Sequence, residues 1–119
     1  MLPNQFDASV HGTSPVLTIR LRGGLTMAAE EILNQAYRSA TDQAATTIVL
    51  DFSEVDFMNS SGIALIFGLL TNARAKGQQL LLAGVTPHYQ KILSLVGLVR
   101  YAPIFATEAD ARRSVEQPT

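Results

Sequence analysis

The spacing of hydrophobic and polar residues changes several times along the chain, and each change predicts a new strand or helix. The stretch PVLTIRLRGG alternates, so that Leu17, Ile19 and Leu21 share one side of a strand and polar residues share the other. Gly23 and Gly24 are typical of turns and predict the end of this strand. We therefore expect a strand with one covered face.

Two other runs are apolar almost without interruption. TTIVLDF and QQLLLAGV predict central strands that are buried on both faces. YAPIF predicts a short edge segment, because Pro103 cannot occupy a central strand. A further edge strand around residues 6–10 would complete a small sheet of about four to five strands.

Four segments carry apolar residues three and four positions apart and predict about four helices. They are TMAAEEILNQAYRSATD, SGIALIFGLLTNARAKG, TPHYQKILSLVG and TEADARRSV. Thr26 is expected to cap the first helix and Gly77 to end the second. Because strands and helices alternate, the fold class is α/β, with helices packed on a small central β-sheet. One domain is expected to fill residues 1–119, with residues 116–119 as a frayed tail.

Composition narrows the class of protein. The chain has 119 residues, of which 47% are hydrophobic and 16% are charged, as in an ordinary globular domain. A net charge of −1 provides no basic excess, so no nucleic-acid partner is expected. No apolar run approaches the roughly 18 residues of a membrane helix, and the first residues lack the pattern of a signal peptide. We expect a soluble, cytoplasmic protein without direct membrane insertion.

The reactive side chains argue against an enzyme. The chain has no cysteine, which excludes disulfides, thiolate metal sites and a cysteine nucleophile. His11 and His88 lack metal-ligand spacing, no glycine-rich loop has phosphate-binding spacing, and NSSG lacks the glycine pattern of a nucleophile elbow. Asp51, Glu54 and Asp56 form an acidic group, but acids at a strand end also serve turn geometry. We expect no catalytic residue, no metal and no cofactor.

The segment MNSSG places two serines where a strand ends and a helix begins. Capping is the favoured interpretation from residue types alone, because asparagine and serine oxygens accept the free N–H groups of a first helical turn, a contribution of about 1 kcal/mol. One helix needs only one cap, however, and Gly62 lowers helix propensity while allowing a close approach to the backbone. The alternative is a phosphorylation switch, since a helix N-terminus tolerates the roughly −1.5 to −2 charges of phosphoserine. Beside Asp56, that charge would repel a partner with an acidic or dry surface.

The stretch IVLDFSEVDFMNSSGIALIFGLLTNARAKGQQLLLAGV resembles the central segment of the STAS domain, as found in bacterial anti-sigma factor antagonists. The positions that match the family pattern in order are Asp51, Val55, Met58, Asn59, Ser60, Ser61 and Gly62. The resemblance extends upstream to GGLT and downstream to KILSLVGL, so it covers nearly the whole chain.

The resemblance implies a non-enzymatic partner switch. The unphosphorylated form would bind an anti-sigma factor, itself a serine kinase with a histidine-kinase-like ATPase fold, and release a sigma factor. The kinase would phosphorylate the first serine of the motif, Ser60, and a separate serine phosphatase would restore binding. Ser61 would be its neighbour and the structural cap. The chain departs from the family at Asn59, where many phosphorylatable members have Asp, and at Thr26, where the G-x-L-D stretch commonly ends in Asp.

The expected docking surface surrounds Ser60. It comprises the turn at residues 54–58, the loop at residues 23–26 and the exposed side of the second helix. Phe57 and Met58 flank the acceptor, and for both an apolar anchor and a core position remain open. The partner-binding residues are expected to be Thr26, Asp56, Phe57, Met58, Asn59, Ser61 and Gly62.

Three other functions remain open. The first is a non-phosphorylated STAS subunit of a lipid-transport ABC complex, and the second is a scaffold in a stress-signalling assembly. The third is a small serine hydrolase, which no catalytic triad in the sequence supports.

Overall fold

The computed structural model describes residues 5–116, which form one mixed sheet of five strands with four α-helices. The strands are β1 (Asp7–Thr13), β2 (Val16–Leu25), β3 (Thr47–Met58), β4 (Gln79–Ala83) and β5 (Ile104–Phe105). They lie in the order β1-β2-β3-β4-β5, with β1 antiparallel to β2 and the other neighbours parallel. The α/β class, the central strands and both edge strands are therefore confirmed.

The helices cover the two faces of the sheet unequally. They are α1 (Glu30–Asp42), α2 (Ser60–Ala75), α3 (Pro87–Leu95) and α4 (Glu108–Glu116). Side chains of α1, α2 and α3 share the larger core with Leu17, Ile19 and Leu21 of β2, whereas α4 contributes Ala111 to a smaller core on the opposite face. Residue 116, the first residue of the predicted tail, ends α4, and residues 117–119 lie outside the described part of the chain.

The helix ends follow local sequence signals, with one difference. Thr26 does act as a cap, since its Oγ1 accepts a hydrogen bond from the Ala28 backbone N–H at 3.2 Å. The turn that it caps is a 3-10 helix at Met27–Ala29, and α1 begins only at Glu30. Gly77 follows the end of α2 with a φ of 72°, a conformation that glycine adopts without strain.

Both β2 and β3 are longer than predicted. Gly23 and Gly24 do not end β2, which continues to Leu25 with register shifts between Arg20 and Arg22 and between Gly23 and Gly24. The segment predicted as a turn, Glu54–Met58, is the last part of β3. β2 and β3 hydrogen-bond to each other through Leu25 and Met58, whereas β4 pairs with β3 only as far as Asp51. The two strands therefore extend past the end of β4, and the MNSSG segment begins at the last residue of β3.

The prediction that β2 has one covered face is wrong. Thr18, on the side expected to be polar and exposed, is fully buried. On that same face, Val16 packs in the smaller core with Ala111 of α4. The alternating pattern of β2 correctly predicted that Leu17, Ile19 and Leu21 are buried in the larger core. It contained no signal that α4, at the C-terminal end of the described residues, packs on the polar side.

A network of charged side chains joins α4 to this polar face. The two carboxylate oxygens of Glu108 accept from Arg20 Nη2 at 3.1 Å and from Arg112 Nε at 3.3 Å. Arg20 also pairs with buried Asp51, whose Oδ2 lies 3.4 Å from the Arg20 Nε. Burial by itself raises the pKa of Glu108. Hydrogen bonds, including those from Arg112 and Arg20, lower it by more than burial raises it, so the pKa of Glu108 lies below its ordinary value of 4.5.

Replacing Glu108 with glutamine should therefore destabilise the protein in a pH-dependent way. A carboxylate whose pKa is lowered by folding stabilises the native state above its unfolded pKa and loses this effect as the pH falls through the folded pKa. We expect Glu108→Gln to lower the free energy of unfolding by about 1 kcal/mol at pH 7. The difference from wild type should shrink as the pH falls below 4.5.

Urea unfolding at a series of pH values would measure this difference, with Glu54→Gln as the control. Glu54 forms an exposed ion pair with Arg22, and exposed pairs contribute little. A loss for Glu108→Gln that is independent of pH, or equal to that of Glu54→Gln, would contradict the role of the network.

Candidate functional site

The two serines of the MNSSG segment lie at the junction between β3 and α2. β3 ends at Met58, Asn59 is extended, and α2 begins at Ser60. Ser60 is exposed, and Ser61 is half-buried. The predicted acceptor therefore occupies the first position of a 16-residue helix, where its hydroxyl is accessible to solvent.

Asn59, and not Ser61, caps α2. The Oδ1 atom of Asn59 accepts a hydrogen bond from the Gly62 backbone N–H at 3.0 Å, which is the usual N-cap geometry. The Asn59 carbonyl also accepts from the Ile63 backbone N–H at 3.0 Å. The prediction that Ser61 serves as the cap is wrong, because the side chain that precedes the helix already satisfies this role.

Gly62 is small because the protein itself approaches it. A Cβ atom at position 62 would overlap the carbonyl oxygen of Leu25 and lie 2.7 Å from its carbonyl carbon. The same oxygen accepts a hydrogen bond from the Asn59 backbone N–H at 3.3 Å. Gly62 is buried, so the close approach expected from a partner is made instead by the end of β2. Sequence reasoning did not identify Leu25 as the residue that positions the start of α2.

Phe57 and Met58, the last two residues of β3 before the junction, differ in burial. Met58 is 5% exposed and belongs to the larger core, whereas Phe57 is 40% exposed. The hypothesis of an apolar anchor is therefore open only for Phe57. Met27, which sequence reasoning did not single out, is also exposed, and it lies two residues after the end of β2.

A family model of the STAS domain matches residues 7–111. The chain belongs to the STAS domain family. This match includes every strand, the MNSSG junction and the first residues of α4, so the resemblance in the sequence is confirmed over nearly the whole chain.

Proteins that are similar to this chain in sequence or in fold include anti-sigma factor antagonists. An anti-sigma F factor antagonist from Paenibacillus polymyxa is 28% identical over 102 residues, which are 85% of this chain and 87% of that protein. The structure of the Bacillus cell fate determinant SpoIIAA in its phosphorylated form has a TM-score of 0.72 and 29% identity, over 92% of this chain and 99% of that one. An anti-sigma factor antagonist from Mycobacterium paratuberculosis has a TM-score of 0.81 over 96% of this chain and 97% of that one; at 21% identity, this likeness shows the STAS fold alone.

The STAS junction is held from α3 as well as from β2. β4 ends at Ala83, opposite Asp51, so within residues 5–116 the segment 52–58 of β3 has β2 as its only strand neighbour. On the free side, the hydroxyl oxygen of Tyr89 in α3 accepts a hydrogen bond from the Met58 backbone N–H at 3.0 Å. Sequence reasoning missed Tyr89, since a tyrosine in an amphipathic helix gives no signal of a contact with a distant strand.

The remaining predicted site residues, Thr26 and Asp56, differ in burial and in position along the chain. Thr26 is half-buried beside Leu25, which contacts both Asn59 and Gly62, so Thr26 lies close to the start of α2. Asp56 is exposed on the last part of β3. The predicted loop at residues 23–26 is not a free surface, since its first three residues are buried in β2.

The acidic residues of β3 are engaged in the protein's own contacts. Asp51 accepts a hydrogen bond from the Ser53 backbone N–H at 3.0 Å and pairs with Arg20. Glu54 pairs with Arg22. Within residues 5–116, no group of three or more potential ligands could hold a metal ion. In the same range, no helix combines the length and apolar character needed to cross a bilayer.

Proposed function

We propose that this STAS protein is an anti-sigma factor antagonist that switches partners through Ser60. In this proposal the unphosphorylated form binds an anti-sigma factor serine kinase and releases a sigma factor, and phosphorylation of Ser60 ends that binding. The observation that carries the proposal is the exposed hydroxyl of Ser60 at the first position of α2, in the matched family motif. The names of the related proteins and the phosphorylated form of SpoIIAA support it.

The site favours a switch that acts through surface charge. Ser60 needs no hydroxyl contact to maintain the fold, because Asn59 caps α2 and Leu25 positions it. A phosphate at a helix N-terminus is compatible with the helix dipole, so the modification can leave the fold intact. It would add roughly −1.5 to −2 charges to an exposed surface that also carries Asp56. A partner docked over Ser60 would have to desolvate this charge, and a partner with an acidic surface would be repelled by it.

The exposed residues near Ser60 define the proposed docking surface. Phe57 supplies the largest exposed apolar side chain on β3, and the half-buried Thr26 lies beside the start of α2. Asp56, Asn59 and half-buried Ser61 complete the polar part of this surface. Met58 and Gly62 contribute indirectly, because their burial sets the positions of the exposed residues.

The protein itself is proposed to be non-enzymatic. The kinase with its histidine-kinase-like ATPase fold would supply ATP and the catalytic residues, and a serine phosphatase would remove the phosphate. This STAS domain would supply only the acceptor hydroxyl and the surface that the partners recognise.

The test begins with capture of partners by immobilised wild-type protein from a host lysate containing Mg-ADP, followed by identification by mass. The captured partner would then be purified and incubated with Mg-ATP and three chains: wild type, Ser60→Ala and Ser61→Ala. We expect phosphate on a peptide containing Ser60 in wild type and in Ser61→Ala, and none in Ser60→Ala.

Two results would contradict the proposal. Equal phosphate incorporation in Ser60→Ala and wild type would exclude Ser60 as the acceptor. Capture of a transporter ATPase that transfers no phosphate to the wild-type chain would instead favour a structural STAS subunit.

A further inference from the structure

The acidic residues of the chain leave one long segment without negative charge. All ten lie at or before Asp56 or at or after Glu108, so residues 57–107 contain no Asp or Glu. This segment includes α2, α3 and a 3-10 turn at Leu98–Arg100. Its Lys and Arg side chains are all exposed; they are Arg74, Lys76, Lys91 and Arg100. The surface that these elements contribute is therefore positively charged, although the whole protein has a net charge of −1.

The same segment contains an apolar groove between the second half of α2 and the residue that follows the 3-10 turn. The groove has a volume of about 280 Å³ and is lined by Phe67, Leu70, Thr71, Arg74 and Tyr101. Leu70 is buried and Phe67 is half-buried, whereas Arg74 is exposed. The apolar side chains therefore lie deeper than the guanidinium, and the space accommodates a large side chain.

Exposed apolar residues are concentrated next to this groove in the sequence. Among residues 5–116, six large hydrophobic side chains are exposed, and Leu95, Val96 and Tyr101 are three of them. Leu95 is 79% exposed at the end of α3, and Tyr101 lines the groove itself. Clustered apolar exposure of this kind marks an interaction site more often than single exposed residues do.

Arg74 is oriented by Tyr101 in a way that suits a carboxylate. The Cζ atom of Arg74 lies 4.5 Å from the centroid of the Tyr101 ring, so the guanidinium is placed over the ring. The five N–H donors of a guanidinium lie in its own plane, and contact between its face and a ring uses none of them. A carboxylate can accept two of these donors at once.

We propose that the groove lined by Phe67, Leu70 and Tyr101 is a second docking site, which binds an acidic segment of a protein partner. An apolar side chain of that segment enters the groove, and a neighbouring Asp or Glu pairs with Arg74. The positive charge of residues 57–107 selects an acidic partner. A recess with one oriented guanidinium fits a peptide better than it fits the flat surface of an anionic membrane, which recognises clusters of Lys and Arg.

This second site does not depend on the state of Ser60. Arg74 follows Ser60 by 14 residues in the same helix, which places the two residues about 21 Å apart along the axis of α2. That separation exceeds the Debye length of roughly 8–10 Å at physiological salt, so a charge at Ser60 is largely screened at the groove. The acidic segment would therefore stay bound whether or not the protein is phosphorylated.

The experiment selects short random peptides from a display library against the full-length protein, without any kinase. Enriched peptides are synthesised, and their affinities are measured by fluorescence anisotropy for wild type, Arg74→Glu, Tyr101→Ala, Ser60→Asp and Arg38→Glu. Arg38 is exposed on α1, so Arg38→Glu makes the same change of net charge outside the groove. Arg74→Gln removes the charge without reversing it, and urea unfolding checks that each variant is folded.

We expect the enriched peptides to combine Asp or Glu with a large apolar residue. Arg74→Glu and Tyr101→Ala should each weaken their binding by roughly tenfold or more, with a smaller loss for Arg74→Gln. Arg38→Glu and Ser60→Asp should bind as wild type does. The affinity of wild type should also fall as the salt concentration rises.

Four results would overturn the inference: no enriched peptide, enriched peptides without acidic residues, equal affinity for wild type and Arg74→Glu, or an equal loss in Arg38→Glu. Vesicles of phosphatidylcholine and phosphatidylserine that bind wild type but not Arg74→Glu, in the absence of peptide binding, would assign the surface to a membrane instead. The proposed function is tested separately, since a kinase that fails to modify Ser60 would overturn it without changing these affinities.

Discussion

Replacing Gly62 with alanine is expected to lower the free energy of unfolding by about 2–3 kcal/mol, although alanine is the better helix former. The added methyl group would overlap the backbone carbonyl of Leu25, and a backbone group in a paired strand has little freedom to move. The start of α2 would have to shift away from β2, which would also weaken the hydrogen bond from the Asn59 N–H to Leu25. Because Ser60 lies between Asn59 and Gly62, this shift would also displace Ser60, and we expect weaker partner binding.

Gly68→Ala is the matched control for this prediction. Gly68 lies in the same helix and is exposed, and a methyl group added there would meet no atom within 4 Å outside the neighbouring turns of its own helix. Alanine there should raise the free energy of unfolding by about 0.5–1 kcal/mol. Urea unfolding of both variants would measure the contrast. A Gly62→Ala protein as stable as wild type would show that the contact between α2 and β2 does not require glycine.

Replacing Ser60 with aspartate is expected to reduce affinity for the purified anti-sigma partner at least roughly 100-fold, equivalent to about 2.8 kcal/mol. Aspartate introduces a charge that a docked partner must desolvate or repel, at the same position as the proposed phosphate. The free energy of unfolding should stay the same or rise by up to about 1 kcal/mol, because a negative charge is favourable in the first turn of a helix. Isothermal titration calorimetry would give the affinity, and urea unfolding the stability.

The control for net charge is Ser94→Asp, at an exposed serine near the end of α3. Both substitutions add one negative charge, but only position 60 lies in the proposed docking surface. We expect Ser94→Asp to retain wild-type affinity. If Ser60→Asp binds as tightly as wild type, Ser60 is not the switch; if both variants lose affinity equally, the effect is one of overall charge.

Local sequence signals predicted the secondary structure well where a segment is stabilised by its own pattern. The buried run of β3 and the apolar periods of α1 and α2 depend on residues that are near in sequence. The ends of β2 and β3 were predicted poorly. Gly23 and Gly24 do not end β2, because hydrogen bonds to β3 outweigh the weak strand propensity of glycine.

The burial of individual site residues followed a different rule. Phe57 and Met58 are adjacent apolar residues, and nothing in their types distinguishes an exposed anchor from a core position. Similarly, Asn59, Ser60 and Ser61 are all good caps by composition. The structure selects Asn59, since only its oxygen is placed to accept the Gly62 N–H.

The sequence by itself determined the α/β class, the family, and the position of Ser60 where a strand meets a helix. These properties depend on periodicity and on an ordered motif, both of which are contained in short stretches of the chain. Only the tertiary structure decided that Leu25 requires glycine at position 62, that Tyr89 holds the end of β3, and that α4 covers the polar side of β2. Each of these contacts joins residues far apart in sequence, and local propensity contains no information about which distant backbone or helix will fill a given space.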